Sequence, residues 1–491
     1  MLGDIFKPFI EASPLSVMMR GLVERLLNPE QMDQWFEQFA QEQYTRELLF
    51  STVVSVMLEV VCGPRKSVNA AYQAMAEAIP VSIQAVYDKL RGVEPGVAAE
   101  LVRYAARGGQ DVITALAGAS PPLLPGYSVR MLDGNHLAAT EHRLKELRSY
   151  GGGALPGLAL VVYDPDQDLV MDVVPCENGH TQERALLKEL LATVAPGQVW
   201  IMDRNFCVLA WLHQIAARSA YFVVREHEQT PFTVLGAMRE VGEIETGGVG
   251  EQSIQVLGPD GQPVVWRRIR VLLRQPTRDG DDRIYIWTNL PASVSALTVA
   301  RLYRKRWRVE TAFQHLAQDL NTEINTLGYP RAALFGFCIG LVAYNILAVL
   351  KAALRRVHGA TAIDTQLSGY YVADEVSGTY RGMMIAIPPP EWQIFRQLTT
   401  TDLAAVLITL AGKVRLARFR KHPRGPKKPR SRRPYDPKHP HQATAKLLVA
   451  RRSSLRYGSP TGGSIRRTSY FLPWLPYQCC WGAFMLPTRR G

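Results

Sequence analysis

The stretch ARLYRKRWRVETAFQHLAQDL, residues 300–320, decides how the rest of the chain is interpreted. It contains no Pro or Gly, and its helix-forming residues predict one continuous helix. At the helical period, its apolar residues fall on a single stripe that predicts the core face: Leu302, Val309, Phe313, Leu316 and Leu320. Tyr303, Arg306 and Glu310 line up along one edge of that stripe.

Glu310 is therefore one carboxylate at the rim of a predicted core, among several Arg and Lys residues. This pattern is typical of a site for metal and phosphate. The alternative is an ordinary amphipathic helix in which Arg306 and Glu310 form an i,i+4 ion pair. The helix alone favours the ion pair, so the decision depends on the rest of the chain.

Composition indicates a globular protein with a basic end. The 491 residues are enough for two or three domains. The net charge is +13, and residues 413–491 hold 20 Lys and Arg against one acid, Asp436. This Pro-rich segment is predicted to be disordered when free and to bind nucleic acid, although a solvated end without a partner is the alternative. Residues 459–491 show no periodicity and receive no function.

The chain shows no signal for secretion or for zinc. Its six cysteines lack the spacing of zinc ligands, which predicts thiols in a reducing compartment. The N-terminus lacks the pattern of a signal peptide, so we expect a cytoplasmic, nucleoid-associated protein. Residues 332–350 are apolar enough to span a bilayer. They include Asn345 and stand alone, so we prefer a buried core helix and expect no membrane partner.

Residues 1–119 are predicted to form an all-helical domain, with helices over 22–39, 45–61 and 70–78. Residues 80–91 resemble the second helix of a helix-turn-helix, although another bundle helix fits equally well. Its expected inward residues are Ile83, Val86 and Leu90, and its expected outward residues are Gln84, Tyr87, Lys89 and Arg91. The sequence SPPLLPG, residues 120–126, is a natural linker.

From residue 127 the pattern becomes mixed α/β. Residues 127–225 predict a strand ending on Asp133, two antiparallel strands joined by the turn 164–168, an amphipathic helix over 181–194 and a strand ending at Asp203. Residues 226–290 alternate like β-strands separated by turns and form a predicted insertion. Residues 291–412 return to helices, with two of them over 297–320 and 331–357.

Asp133, Asp203 and Glu310 stand apart from their surroundings. In open sheets the ends of strands meet at one rim, where ligands bind, so these carboxylates are predicted to come together. Three adjacent carboxylates repel unless a divalent cation joins them, and oxygen ligands favour Mg²⁺ or Mn²⁺. Each aspartate also has an ordinary explanation, since Asp-Gly is a common turn and Asp203 is placed to cap a helix. Asp164, Asp168 and Asp172 compete for membership of the triad; the first two resemble turn residues, and Asp172 lies in the middle of a predicted strand.

The ordered set of a strand followed by Asp133-Gly134, the segment IMDRNF around Asp203, and YRKRWRVETAF resembles the DDE transposases of bacterial insertion sequences. The spacing of Tyr303, Arg306 and Glu310 resembles in particular the family named after insertion sequence four. The resemblance extends over residues 127–400 and includes the β-rich insertion between the second Asp and the Glu.

This resemblance implies an RNase H-like catalytic core in which Asp133, Asp203 and Glu310 hold two Mg²⁺ or Mn²⁺ ions. It implies cleavage of double-stranded DNA at the element's terminal inverted repeats and transfer of the 3′-hydroxyl into target DNA, by a complex that is at least a homodimer. Tyr303, Arg306 and Arg204 are the implied DNA contacts. Trp287 is a candidate for stacking on an extruded base, and a core position in the sheet is equally compatible with it.

Two positions depart from the family pattern. Ala317 stands where the family has Lys, with Gln314 and Gln318 nearby, and Gln does not replace the charge of a phosphate-binding Lys. Asn205 stands where Gly is usual, a mild change because Asn tolerates a left-handed backbone. The alternatives are a structure-specific nuclease on the same fold and an inactive remnant that only binds DNA.

Overall fold

The computed structural model describes residues 2–43, 47–140, 144–149, 151–277, 280–322, 324, 326–422 and 442–449. The side chains of residues 314–319 lie outside this description. The predictions about Ala317, Gln314, Gln318, residues 459–491 and the disorder of most of the basic tail therefore fall outside the described residues.

The first part of the chain is helical, as predicted. Its helices are α1 Lys7–Ala12, α2 Pro14–Leu26, α3 Pro29–Phe39, α4 Phe50–Val61, α5 Val68–Ala74, α6 Ile83–Gly92 and α7 Pro95–Leu116. The single helix expected over 22–39 is wrong, because Asn28 separates α2 from α3. The Asn28 side chain accepts hydrogen bonds from the N–H groups of Glu30 and Gln31, and Pro29 follows it as the first helical residue. An Asn cap before a Pro is a strong helix start.

A large mixed sheet follows these helices. Its strands are β1 Ser128–His136, β3 Leu158–Asp164, β4 Leu169–Cys176, β5 Gln198–Met202, β6 Tyr221–Arg225, β7 Thr233–Val234, β8 Arg239–Ile244, β9 Gly247–Leu257, β10 Pro263–Leu273 and β11 Arg283–Thr288. Two short strands, β2 Ala154–Leu155 and β12 Gln442–Ala443, form a separate pair. The order across the sheet is β4-β3-β1-β5-β6-β11-β10-β9-β7, with β8 also paired to β9.

The strands of residues 127–225 follow the predicted alternation closely. β3 and β4 form an antiparallel hairpin, whereas β1, β5 and β6 are parallel neighbours. The segment between β4 and β5 is the 3₁₀ helix Glu183–Thr193, and the helix between β5 and β6 is α8, Leu209–Ala217. Parallel strands need such crossovers, so the mixed α/β class predicted from sequence is the one observed.

The β-rich insertion is not a separate sheet. β11, near its end, pairs antiparallel with β6, and Ile286 lies opposite Arg225. β10 and β9 then add to β11, so the insertion extends the sheet that carries β1 and β5. Movements of the insertion relative to the rest of the sheet are consequently restrained by backbone hydrogen bonds.

The remaining helices are α9 Ala296–Arg304, α10 Trp307–Asp319, α11 Pro330–His358, α12 Ala360–Gln366, α13 Gly369–Ala386, α14 Pro389–Trp392, α15 Ile394–Gln397 and α16 Thr400–Gly412. The continuous helix expected over 300–320 is wrong. Lys305 and Arg306 donate to carbonyls three residues back, which tightens the chain into a turn. α9 packs on the insertion, and α10 packs on β1 and α13. The turn therefore allows the two helices to pack against different elements.

Helix α11 is the centre of the larger hydrophobic core. It is the one helix in the described chain that is long and apolar enough to cross a membrane, and that apolar stretch is buried inside the protein. The preference for a buried core helix is confirmed. Asn345, fully buried on α11, accepts from Val170 N–H and donates to Val170 C=O, each at 2.8 Å. The helices before β1 share this core with one face of the sheet.

Candidate active site

Register places Asp133 beside Asp203. The parallel ladder of β1 and β5 begins at Ser128 opposite Gln198 and ends at Leu132 opposite Met202. Asp133 and Asp203 are the residues that directly follow this last pair, so they lie at the same level beyond the ladder. Their convergence follows from the shared direction of the two strands.

The two aspartates differ in the course of the backbone after them. The prediction that the first strand ends on Asp133 is wrong, because β1 continues to His136 through its pairing with β3, where Asp133 lies opposite Val161. Asp203 does leave its strand and caps the 3₁₀ turn Arg204–Phe206, with its Oδ1 accepting from Asn205 N–H at 2.7 Å. Its ordinary role as a cap, considered from sequence, is therefore real and coexists with its place beside Asp133.

Arg306 brings Glu310 to the same place. Its guanidinium lies 2.9 Å from Glu310 Oε1 and 3.4 Å from Asp133 Oδ2. Arg306 is buried, at 8% exposure, and sits at the turn between α9 and α10. The i,i+4 ion pair that was the alternative to a site is present, and the same arginine also joins Glu310 to the first aspartate.

The electrostatics of the cluster favour protonation of Asp133 and Glu310. Burial raises the pKa of Asp133 to about 8, and the charges of Asp203 and Glu310 add to the rise while Arg306 opposes it. Burial and then the charge of Asp203 also raise the pKa of Glu310, against the pull of Arg306. One guanidinium therefore does not compensate the carboxylates that surround it, and a further cation would be stabilising.

Sequence reasoning missed a fourth carboxylate at this site. Glu183, the first residue of the 3₁₀ helix Glu183–Thr193, points its Oε1 at Gly134. Its Oε2 accepts from Asn205 Nδ2 at 2.6 Å. No motif singles Glu183 out, because an acid in the first turn of a helix is common. The folded structure identifies Glu183 through its contacts, because its Oε1 approaches Gly134 and its Oε2 accepts from Asn205.

Two further predicted DNA contacts, Tyr303 and Arg204, differ in their exposure to solvent. Tyr303, on α9, is partly buried, and burial raises the pKa of its hydroxyl, with Arg306 and Asp203 among the charges that act on it. Arg204 is exposed to solvent directly after Asp203. Arg301 and Arg304 point away from the site, since both pair with Glu245 of the insertion.

Trp287 is fully buried in β11. Its ring contacts those of Phe232 and Trp266, and its Nε1 donates to Glu226 Oε2 at 2.6 Å. The structure thus places Trp287 at a core position of the sheet, the alternative that the sequence left open. Its ring has no free face for a base in this arrangement, and we do not include it in the proposed site.

The competing aspartates are engaged elsewhere. Asp172, on β4, is buried and accepts from Arg103 Nε at 2.6 Å. Asp164 pairs with Arg130 at 2.7 Å. Both carboxylates have a cationic partner of their own, Arg103 on α7 and Arg130 on β1, so neither replaces Asp133 or Asp203.

The donor set fits a hard divalent cation in kind. Its members are carboxylate oxygens, the ligands that Mg²⁺ and Mn²⁺ prefer. Among the described residues, no three His, Cys, Asp or Glu side chains lie close enough together to hold one ion. Arg306 contacts Asp133 and Glu310 together and so lies between them. Binding of a cation by both carboxylates therefore requires Arg306 to move.

Part of the chain resembles a known protein family. Residues 124–346 match the family described as Transposase DDE domain. This match supports a DDE transposase. The matched DDE region contains all three predicted carboxylates as well as Arg306 and Glu183.

The individual transposases that resemble this chain share little sequence identity with it. The chain is 26% identical over 212 residues to the Putative transposase y4zB of Sinorhizobium fredii, covering 42% of this chain and 56% of that protein. The chain thus spans about half the length of this curated relative. The chain also resembles a piggyBac transposase, solved by cryo-EM as a synaptic complex with hairpin DNA. The structural match covers 77% of this chain and 82% of the piggyBac chain, with 10% sequence identity and a TM-score of 0.39. That likeness is too remote to support an inference.

Proposed function

We propose that this chain is a transposase that cuts DNA at the ends of an insertion element and transfers the 3′-hydroxyl into target DNA. Asp133, Asp203 and Glu310 are its catalytic carboxylates. The observation that carries the proposal is the equal level of Asp133 and Asp203 at the end of the β1–β5 ladder, with Glu310 tied to Asp133 through Arg306.

The proposed chemistry uses two Mg²⁺ or Mn²⁺ ions held by these three residues. Bound divalent cations supply activation of a water or a 3′-hydroxyl and stabilisation of the leaving oxygen. The raised pKa of Asp133 supports the assignment, because a cation would keep this buried carboxyl ionised at neutral pH. The chain's own contribution is to hold Asp133 and Asp203 at the end of two hydrogen-bonded strands and to link Glu310 to Asp133 through Arg306.

Arg306 has two roles in this proposal. It neutralises part of the charge of Asp133 and Glu310 within the protein, and it is a phosphate ligand when DNA is bound. Guanidinium groups bind carboxylate and phosphate with the same planar geometry, so the exchange replaces like with like. Tyr303, next to Arg306, and the exposed Arg204 are the other proposed DNA contacts.

The finer classification also belongs to this proposal. The family named after insertion sequence four is supported by the spacing of Tyr303, Arg306 and Glu310. An RNase H-like core is supported by the hairpin of β3 and β4 beside β1 and by the parallel neighbours β5 and β6. We further propose that the N-terminal helices bind the terminal inverted repeats, that the working complex is a homodimer and that the protein acts on the nucleoid in the cytoplasm.

A cleavage assay tests the function. The purified full chain is incubated with Mg²⁺ and a duplex that contains the genomic sequence on both sides of its own gene. Asp203→Asn is compared with Asp260→Asn, which changes an exposed aspartate in the turn between β9 and β10. We expect cuts at the element boundary by the wild type and by Asp260→Asn, and a loss of at least about 10³-fold for Asp203→Asn, since the transition state depends on the metals.

Other outcomes separate the alternatives. Cleavage that ignores the element boundary indicates a structure-specific nuclease. DNA binding without cleavage by wild type and both variants indicates an inactive remnant. Equal cleavage by the wild type and Asp203→Asn contradicts the carboxylate assignment.

A further inference from the structure

The first residues of the basic end are folded onto the C-terminal helices. The sequence predicts disorder from residue 413 onward, which is wrong here, because Leu416–Phe419 form a 3₁₀ helix and Arg420 makes a β-bridge with Leu367. We call the exposed cations of this segment the basic strip: Lys413, Arg415, Arg418 and Arg420. We infer that the basic strip is a fixed surface that binds the phosphate backbone of duplex DNA outside the candidate site. The inference rests on the proposed function for the identity of its partner.

Backbone hydrogen bonds and buried side chains fix the basic strip in place. The N–H of Ser368 donates to the Phe419 carbonyl at 2.8 Å, and the N–H of Lys421 donates to the Gln366 carbonyl at 2.7 Å. Val414 and Phe419 are each only 5% exposed. These apolar side chains point into the protein, so the cations between them are directed to solvent. A surface that is already ordered loses little conformational freedom when it binds a partner.

Three of the four cations lack a counter-charge. Arg418 lies 3.4 Å from Glu375, and its Nη1 donates to the carbonyl of Ala12, so this arginine holds the strip to the helices beneath it. Within the described part of the chain, no side-chain hydrogen bond or ion pair engages the other three: Lys413, Arg415 and Arg420. Residues 413–422 also contain no acid. Uncompensated cations on one surface attract a polyanion.

The exposed arginines of the β-rich insertion are different. Three of them are each paired with an acid: Arg239 with Glu251 at 3.1 Å, Arg274 with Glu243 at 2.5 Å, and Arg283 with Asp282 at 2.8 Å. Their charge is therefore largely cancelled within the protein. Exposure alone does not make a cation available to DNA, and the basic strip combines exposure with the lack of a counter-charge.

The basic strip adjoins the end of the helix that carries Glu310. Leu367, which bridges to Arg420, lines one small cavity together with Val372 of α13 and Leu320, the residue after α10. Glu310 and Leu320 are about 15 Å apart along a helix axis, whereas one turn of duplex DNA is about 34 Å long. A single duplex can therefore contact the candidate site and the basic strip together.

The salt dependence of DNA binding tests this inference. The full chain is titrated into a short fluorescent duplex that lacks the element ends, without divalent cations and at several KCl concentrations, and anisotropy gives the association constant K. The strip variant combines Lys413→Gln, Arg415→Gln and Arg420→Gln. Each lost phosphate contact should lower the magnitude of the slope of log K against log [KCl] by about 0.9, and three should lower it by about 2.7.

A matched control removes the same charge from the insertion, through Arg239→Gln, Arg274→Gln and Arg283→Gln together. We expect it to keep the wild-type slope, because acids already compensate these arginines. A wild-type slope in the strip variant, or an equal loss in both triple variants, would overturn the inference. These results do not depend on the candidate carboxylates. The proposed function fails separately, if Asp203→Asn cleaves DNA as the wild type does.

Single substitutions cover the case in which the strip variant does not fold. The three side chains are exposed, so each Gln variant should keep the circular dichroism spectrum of the wild type. Each should lower the magnitude of the slope by about 0.9, whereas Arg415→Lys, which retains the charge, should not change it. Wild-type slopes in all three Gln variants would overturn the inference, and so would an equal loss in Arg415→Lys and Arg415→Gln.

Discussion

Asp133 and Asp168 are two buried aspartates that respond to burial in opposite ways. Their side chains are 17% and 13% exposed, so desolvation acts on both. Asp168 lies 3.0 Å from Lys351 Nζ and 3.5 Å from Arg355 Nη2 and accepts a hydrogen bond from Tyr163 at 2.6 Å. Burial opposes ionisation of Asp168, but these cations hold its pKa well below its usual range.

Asp133 has the reverse balance. Its cationic partner, Arg306, is shared with Glu310, and Asp203, Glu310 and Glu183 add negative charge around it. Burial therefore raises its pKa to about 8. The two residues are of the same type and are similarly buried, but they differ in charge compensation. A buried aspartate whose charge is compensated has a structural role, whereas one whose charge is not compensated is a candidate for chemistry.

The largest expected effect distinguishes the two aspartates by stability. Asp168→Asn should lower the free energy of unfolding by about 3 kcal/mol, because it removes the buried counter-charge of Lys351 and leaves Arg355 with the more exposed Asp364 alone. Asn also tolerates the left-handed backbone of residue 168, where φ is 62°, so the loss reports on charge. Asp133→Asn should not destabilise the protein at pH 7. Denaturant unfolding of both variants measures this, and equal losses would remove the distinction.

The next effect concerns divalent cations. Mn²⁺ at 100 times its dissociation constant should stabilise the wild type by about 2.7 kcal/mol, because it binds the folded state alone. We expect this stabilisation to persist in Asp168→Asn and to disappear in Asp133→Asn. The rise in melting temperature with added Mn²⁺ is the measurement. A Mn²⁺-dependent rise of the same size in Asp133→Asn would place the cation elsewhere.

The pH dependence of stability should have opposite signs at the two positions. The raised pKa of Asp133 means that the folded state binds its proton more tightly, so its contribution falls as pH rises from about 4 to about 8. Between pH 6 and 7 the stability of the wild type, relative to Asp133→Asn, should fall by at most about 1.4 kcal/mol without divalent cations. The contribution of Asp168 is present above pH 4 and is lost in strong acid. Unfolding curves across this pH range test both signs.

The smallest effect calibrates the comparison. Glu245, on the insertion, pairs with Arg304, and its side chain is 67% exposed. Glu245→Gln should change the free energy of unfolding by less than about 1 kcal/mol, because water screens an exposed ion pair. A loss as large as that of Asp168→Asn would mean that burial does not determine how much these ion pairs contribute to the free energy of unfolding.

Much of the architecture could be predicted from the sequence because local patterns determine it. The apolar run before Asp203 predicts β5, and the long apolar segment predicts α11 to within one residue at each end. The elements that were mispredicted depend on tertiary partners. Nothing within 300–320 indicates the turn at Arg306, which arises because α9 and α10 pack against different parts of the molecule. β1 likewise continues past Asp133 because β3 pairs with it.

For the candidate site, strand direction was sufficient to predict that Asp133 and Asp203 lie together. It did not predict Glu183, whose approach depends on the space at Gly134 and the amide of Asn205. It also did not predict that Arg306 reaches Asp133 across a sequence separation of 173 residues. The catalytic and DNA-binding roles of these residues stay predictions until the variants are measured.

The hydrogen bonds between Asn345 and Val170 determine at which edge of this sheet a further strand can pair. A side-chain amide occupies the N–H and C=O of Val170 on the outer strand β4, so that margin offers no template for another strand there. The opposite margin consists of the short strands β7 and β8. Strands can be gained or lost at that margin without changing the register of Asp133 and Asp203, so this part of the sheet can vary while the candidate site keeps its spacing.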